Sequence, residues 1–142
     1  MHAVLAFSTL PLFLGALLAD WAYAQSAEVQ WTNFASWLIA GGLVFAGLAL
    51  VWALISVVAT RGARYRRGGL YVVLLLATFV FGLINALVHA KDAWAAMPEG
   101  LLLSVIVLLF AVAASAIGLT SARRGRVTGG EPRGREPERA AS

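Results

Sequence analysis

WLIAGGLVFAGLALVWALISVVAT, residues 37–60, runs for 24 positions without a charged side chain. A helix rises about 1.5 Å per residue, so about 20 predominantly apolar residues cross the hydrocarbon core of a bilayer. Three further blocks of similar length share the chain with it, over 3–24, 70–90 and 100–121. The 142 residues are 61% hydrophobic and 13% charged, with a mean hydropathy of +0.82. Soluble domains carry about twice that charged fraction, and a water-soluble core of this length cannot absorb four such blocks. The expected fold is all-α, an integral membrane four-helix transmembrane bundle over 1–121, with a disordered tail over 122–142.

Between the blocks lie QSAEVQWTNFAS (25–36), RGARYRRGG (61–69) and KDAWAAMPE (91–99). The tail is rich in Arg, Gly, Pro and Glu and has too little apolar surface to offset the entropy of ordering it. Arg61, Arg64, Arg66 and Arg67 fall in the second connection, and Arg123, Arg124, Arg126, Arg133, Arg135 and Arg139 in the tail. Lys91 alone among the 11 basic residues lies elsewhere. Lys and Arg gather on the cytoplasmic side of membrane proteins. The expected arrangement is therefore multi-pass in a bacterial cytoplasmic (inner) membrane, with the N- and C-termini inside. Asp20, Glu28, Asp92 and Glu99 then fall outside, with Trp21, Tyr23, Trp31, Trp37 and Trp94 as an aromatic belt at the outer boundary. The pI near 10.4 comes from two clusters beside apolar spans. That placement points to anionic membrane lipids and not to nucleic acid.

Ala22-Tyr23-Ala24 before Gln25 matches a signal-peptidase site behind an apolar segment. Met1-His2 supplies no Lys or Arg, however, and Asp20 sits badly before such a cut, so the first block is read as a retained span. Pro11 removes a backbone donor and is read as a kink within that span. Small residues four apart (Gly15/Ala19, Gly42/Ala46, Gly82/Ala86 and Ala114/Gly118) let helix backbones approach closely.

With no cysteine in the chain, disulfides, thiolate metal sites and cysteine nucleophiles are excluded. No Ser/His/Asp spacing, phosphate-binding loop, dinucleotide fingerprint or His-x-x-x-His pair occurs, so an enzyme is not expected. What remains is a polar cluster. Asn85 and His89 are four apart and Asp92 follows three later, so the three share one helical stripe. Asp20 near the end of the first span and Ser104 at the start of the fourth reach the same depth. Charged groups at such depth face protein or water and find partners. Asp20 is expected to pair with His89 or Lys91, either as a structural clasp or as part of a ligand site, while Lys91 reaches for the headgroups.

No cofactor is expected. Haem b is the alternative kept open, but His2 and His89 lie at opposite ends of their spans, about 30 Å apart along the membrane normal. Met97 is on the correct side to partner His89, though it sits in a short connection beside Pro98.

Several of these residues occur together in a known family. Met1-His2 opens directly into the first span, Pro11 follows in its first half, and Asp20 precedes an aromatic. Then come Asn85-x-x-x-His89-Ala90-Lys91-Asp92-Ala93-Trp94 and Pro98-x-Gly100-Leu101-x-Leu103-Ser104. On these residues the chain, over roughly 2–120, resembles the small four-span bacterial membrane proteins grouped as domain of unknown function 2231. Where many members have Gly-Trp near the end of the last span, this chain has Ala114-Ser115-Ala116-Ile117-Gly118. The resemblance implies the fold and topology and no settled activity. It also implies partnership with redox enzymes for some members.

The function expected is a non-enzymatic membrane module that anchors or binds a partner protein. The alternative is a haem- or quinone-associated subunit passing electrons to or from a periplasmic dehydrogenase or a membrane redox protein. A small transporter fits the size, but it would need a weaker Lys/Arg bias and a carboxylate near the midplane. The topology is testable. A periplasm-active reporter fused after Ser142 should be silent, and one inserted in the 25–36 connection should be active; the reverse pattern would invert the orientation.

Overall fold

The computed structural model describes residues 2–59, 65–91 and 96–128, with side chains over 4–59, 68–91 and 96–120. It contains four helices: α1 (His2–Ser26), α2 (Val29–Ala59), α3 (Tyr65–His89) and α4 (Glu99–Thr128). Each is long and apolar enough to cross a membrane, and the shortest spans cover 22 residues, about 33 Å of helix. The protein is a multi-pass membrane bundle. Each helix packs on two neighbours, in the ring order α1, α2, α3, α4 and back to α1.

Three boundaries differ from the expected ones, one of them the start of α3, which begins at Tyr65 inside the expected 61–69 connection. The connection over 25–36 is not a loop: α2 begins at Val29. QSAEVQWTNFAS contains neither Gly nor Pro, so nothing in it opposes helix, and the reversal narrows to Ala27 and Glu28. Ala27 adopts φ 57°, the left-handed conformation common just past a helix end. Its N–H donates to the Tyr23 carbonyl at 2.8 Å. Ser26 Oγ donates to the Ala22 carbonyl at 2.7 Å and accepts from the Glu28 N–H at 3.3 Å. At the other end, α4 continues to Thr128, so disorder from 122 onward is corrected over 122–128. Ala and Arg are good helix formers, and arginines suit the negative end of the helix dipole. Residues 129–142 lie outside the described residues.

One rule runs through the buried positions of all four helices, with Ala19, Leu50, Val88 and Ser115 buried beside it. α1 buries Ala6, Thr9, Phe13, Ala16, Asp20 and Tyr23; α2 buries Thr32, Ala35, Ile39, Gly42, Ala46, Ala49 and Ala53. α3 buries Tyr71, Leu75, Thr78, Gly82, Asn85 and His89; α4 buries Gly100, Ser104, Val107, Ala111, Ala114 and Gly118. Every list advances by alternate steps of three and four. That is the seven-residue seam of a left-handed bundle. Most seam positions are small or polar, with Phe13, Ile39, Leu75 and Val107 as the large apolar ones, whereas large aliphatic residues such as Leu18, Val44, Leu48, Ile55, Leu83 and Leu109 are exposed and meet lipid. Lipid tails are as apolar as Leu, so burying Leu gains little here; close contact between backbones and internal hydrogen bonds gain more.

One large side chain closes the middle of the bundle. Phe13 is 1% exposed and packs with Val107 and Ala111. A methyl group placed on Gly42 would lie 2.7 Å from Phe13 Cε1, and one on Gly82 would lie 3.6 Å from Phe13 Cζ. Gly42 of the expected Gly42/Ala46 pair is thus the recess for this ring, and Gly82 borders it, a methyl group there lying closest to Leu43, at 3.0 Å. At one end of the bundle the Ser115 hydroxyl crosses from α4 to donate to the Ala6 carbonyl at 3.1 Å, which also accepts from Thr9 Oγ1 at 2.6 Å. These bonds tie down the helix turn that precedes Pro11. A Gly42→Ala change should lower thermal stability in detergent by about 1–3 kcal/mol through overpacking. Adding Phe13→Leu should recover part of that loss, and unchanged melting of the single variant would mean that the recess is not filled.

Candidate functional site

Two turns beyond Phe13 on α1 and two turns beyond Gly82 on α3, the seam turns polar. Asp20 and His89 stand opposite each other with the same sequence offset as Phe13 and Gly82, so one register of α1 against α3 makes both contacts. His89 Nε2 lies 2.7 Å from Asp20 Oδ1, and neither side chain is exposed. Ser104 Oγ on α4 donates to Asp20 Oδ2 at 2.5 Å. Asn85 Nδ2, one turn below His89, donates to Ser104 Oγ at 2.9 Å. His89 Nδ1 lies 3.0 Å from the Asn85 carbonyl oxygen. Three helices are thereby joined through four side chains.

The bonds fix the protons. A carbonyl only accepts, so His89 Nδ1 carries hydrogen. A single proton then lies between Nε2 and Oδ1, making the pair either imidazolium–carboxylate or imidazole–carboxylic acid. In both forms the pair is neutral overall, which suits a buried site. Ser104 is bonded to the carboxylate and not to the imidazole. Asp20 therefore occupies the middle position that a histidine holds in a nucleophilic triad, so the order of the groups differs from Ser–His–Asp.

Backbone shape admits this arrangement. Gly100 opens the buried seam of α4, and a methyl group there would lie 2.8 Å from His89 Cε1. Only a residue without a side chain lets the start of α4 rest on the imidazole. On the lipid side of the α1–α4 seam, Leu17, Leu18, Trp21, Leu101 and Val105 line an apolar groove of about 310 Å³.

Of the five residues expected to cluster, the structure brings together Asp20, Asn85, His89 and Ser104. Asp92 lies outside the described residues, and α3 ends at His89 before reaching it. Lys91 is exposed, 3.8 Å from Glu99, with 54% and 66% of the two side chains open; Asp20 pairs with His89 instead. Met97 is half-buried, but both His89 ring nitrogens are engaged elsewhere. Sequence reasoning missed Gly100 and Thr32. Thr32 Oγ1 and Asn85 Oδ1 are the buried side-chain atoms without a hydrogen-bond partner among the described residues. The alternating three–four spacing of small and polar residues is the signal that marks both positions. Among the described residues no group of His, Cys, Asp or Glu has the composition to hold a metal.

Fold and site together define a small integral membrane bundle of four helices, closed near one end by a buried carboxylate–imidazole clasp. No family model, curated protein or solved structure matches the chain.

Breaking a buried pair by removing one partner typically costs about 3–5 kcal/mol, whereas removing both is much milder. Asp20→Asn and His89→Ala should each lower thermal stability in detergent on that scale, and the double variant should regain part of it. Lys91→Ala should change stability by less than about 1 kcal/mol, as exposed pairs do. Two singles that melt like the parent would mean that the clasp contributes nothing.

Proposed function

We propose that the protein is a non-enzymatic module of a bacterial cytoplasmic membrane that anchors a partner protein, with its N- and C-termini in the cytoplasm. The observation that carries this reading is the closure of the polar cluster on itself. Asp20 bonds both His89 and Ser104, and Ser104 accepts from Asn85, which supports a structural clasp over a catalytic centre. Orientation is supported by charge: Arg66 and Arg67 lie in the first turn of α3, and Arg123, Arg124 and Arg126 lie near the end of α4, at one end of the bundle. Glu28, Lys91 and Glu99 lie at the other, beside Trp21 and Trp31. The resemblance to the domain of unknown function 2231 proteins rests in part on the segments that contain the clasp residues, Asn85 to Trp94 and Pro98 to Ser104, and agrees with a small membrane module.

Engagement of both ring nitrogens of His89 favours the anchor over the haem- or quinone-linked alternative, since an iron ligand needs a free nitrogen lone pair. In mild-detergent extracts of native membranes, the chain should migrate with a stoichiometric protein partner. Deleting the chain should release that partner from the membrane fraction. The purified protein should show no haem absorption band after oxidation and reduction. A reduced b-type spectrum lost in His89→Ala would replace the anchor reading with electron transfer.

A further inference from the structure

The oxygen of the Asn85 side chain is the one loose end of the clasp. Asn85 is fully buried, its Nδ2 donates to Ser104 Oγ, and its Oδ1 accepts from no donor among the described residues. An unpartnered acceptor in a membrane interior is costly. The chain of bonds Asn85→Ser104→Asp20 nevertheless has a second arrangement that uses the same heavy atoms. In it Asp20 Oδ2 carries a proton and donates to Ser104 Oγ. The Ser104 hydroxyl hydrogen turns away from Asp20 towards residue 85, and the Asn85 amide rotates so that Oδ1 receives it. Nδ2 then takes the unpartnered place. The number of hydrogen bonds is unchanged.

We propose that the Asp20–His89–Ser104–Asn85 cluster is a proton-binding site with two hydrogen-bonded states, the second holding one proton more than the first. The balance is simple. One proton arrives from water and forms an O–H bond at Asp20 Oδ2, no covalent bond breaks, and the site gains one positive charge. That charge rests on His89, whose Nδ1–H still meets the Asn85 carbonyl and whose Nε2–H still meets Asp20 Oδ1. His89 ends α3, where the helix dipole favours a cation. Without the extra proton the reversed chain is unfavourable, because Ser104 would leave Oδ2 of a carboxylate without its donor.

The surroundings make the site one-ended. Towards the middle of the bundle, Phe13, Ile39 and Val107 are buried and apolar, so a proton is not passed onward. Towards the near end stand Tyr23 on α1, Glu28 just before α2, and Lys91 with Glu99 across the α3–α4 connection. The buried face of α2 at this level, Thr32, Ala35 and Ile39, carries no titratable group. Protons therefore enter from the end at which α3 finishes. The inference rests on the clasp geometry and not on the partner-anchoring reading.

The test is a pH titration of the full chain in lipid nanodiscs, with ¹³C-labelled Asp and ¹⁵N-labelled His and Asn, read by NMR. His2→Gln and Asp20→Asn variants assign the His89 and Asp20 signals. On acidification Asp20 should become a carboxylic acid while both His89 ring nitrogens carry protons, and the Asn85 side-chain amide should shift with the same midpoint. Ser104→Ala removes the hydroxyl that links Asp20 to Asn85, so the Asn85 amide shift at the Asp20 midpoint should be lost. Three results would each overturn the proposal: an Asn85 amide that does not respond, an Asp20 that stays ionised while the bundle remains folded, or a Ser104→Ala titration like the parent's. If Ser104→Ala does not fold, the Asn85 amide in the unaltered protein decides alone.

Discussion

A carboxylate and an imidazole 2.7 Å apart, in a medium that solvates neither, set the terms for this bundle. In water such a pair would be optional. Inside a membrane each member needs the other, because a lone charge there is expensive and no water stands ready to replace a missing partner. The pair reaches across the ring from α1 to α3, and Ser104 brings in α4. It therefore holds the helices in one register. The contact of Phe13 with Gly82 two turns away uses the same register, so the apolar middle and the polar end reinforce each other.

Apart from Thr32 Oγ1, the hydroxyls described elsewhere in the bundle obey the same constraint. Polar groups in hydrocarbon must be satisfied within the protein, and the hydroxyls show how. Ser8, Ser36, Ser56 and Thr78 each donate to the carbonyl one turn earlier in their own helix. Such bonds need no neighbour and carry no information about packing. Ser104, Ser115 and Asn85 bond across to other helices or their side chains, and these specify which helices meet. Small residues at the remaining seam positions bring the backbones near enough for short side chains to reach.

A cluster that satisfies itself suits holding, and a single unpartnered acceptor suits a change of state. The two roles are compatible, because proton uptake accompanied by rotation of a hydroxyl and an amide would change the charge of the clasp without separating the helices.

The class of fold was legible in the sequence because span length and apolarity are local properties. Residues 37–60 announce a membrane helix whatever surrounds them, and the arginine clusters beside the spans carry the expected orientation with equal independence of packing. The polar cluster was legible as a matter of depth, since Asn85 and His89 are spaced by one helical turn and counting along a span places Asp20 and Ser104 beside them. Boundaries were less legible. A polar segment such as 25–36 reads as a loop, yet it contains no residue that breaks a helix, and α2 starts at Val29. Tertiary structure alone decided between His89 and Lys91 as the partner of Asp20, because that choice depends on the rotation of α3 against α1. It also decided the role of Gly100, which only the imidazole packed on it reveals, and the unpartnered state of Asn85 Oδ1. Length and hydropathy are summed along the chain, whereas pairing is settled by the angle at which two helices face each other, and no local property of the sequence contains that angle.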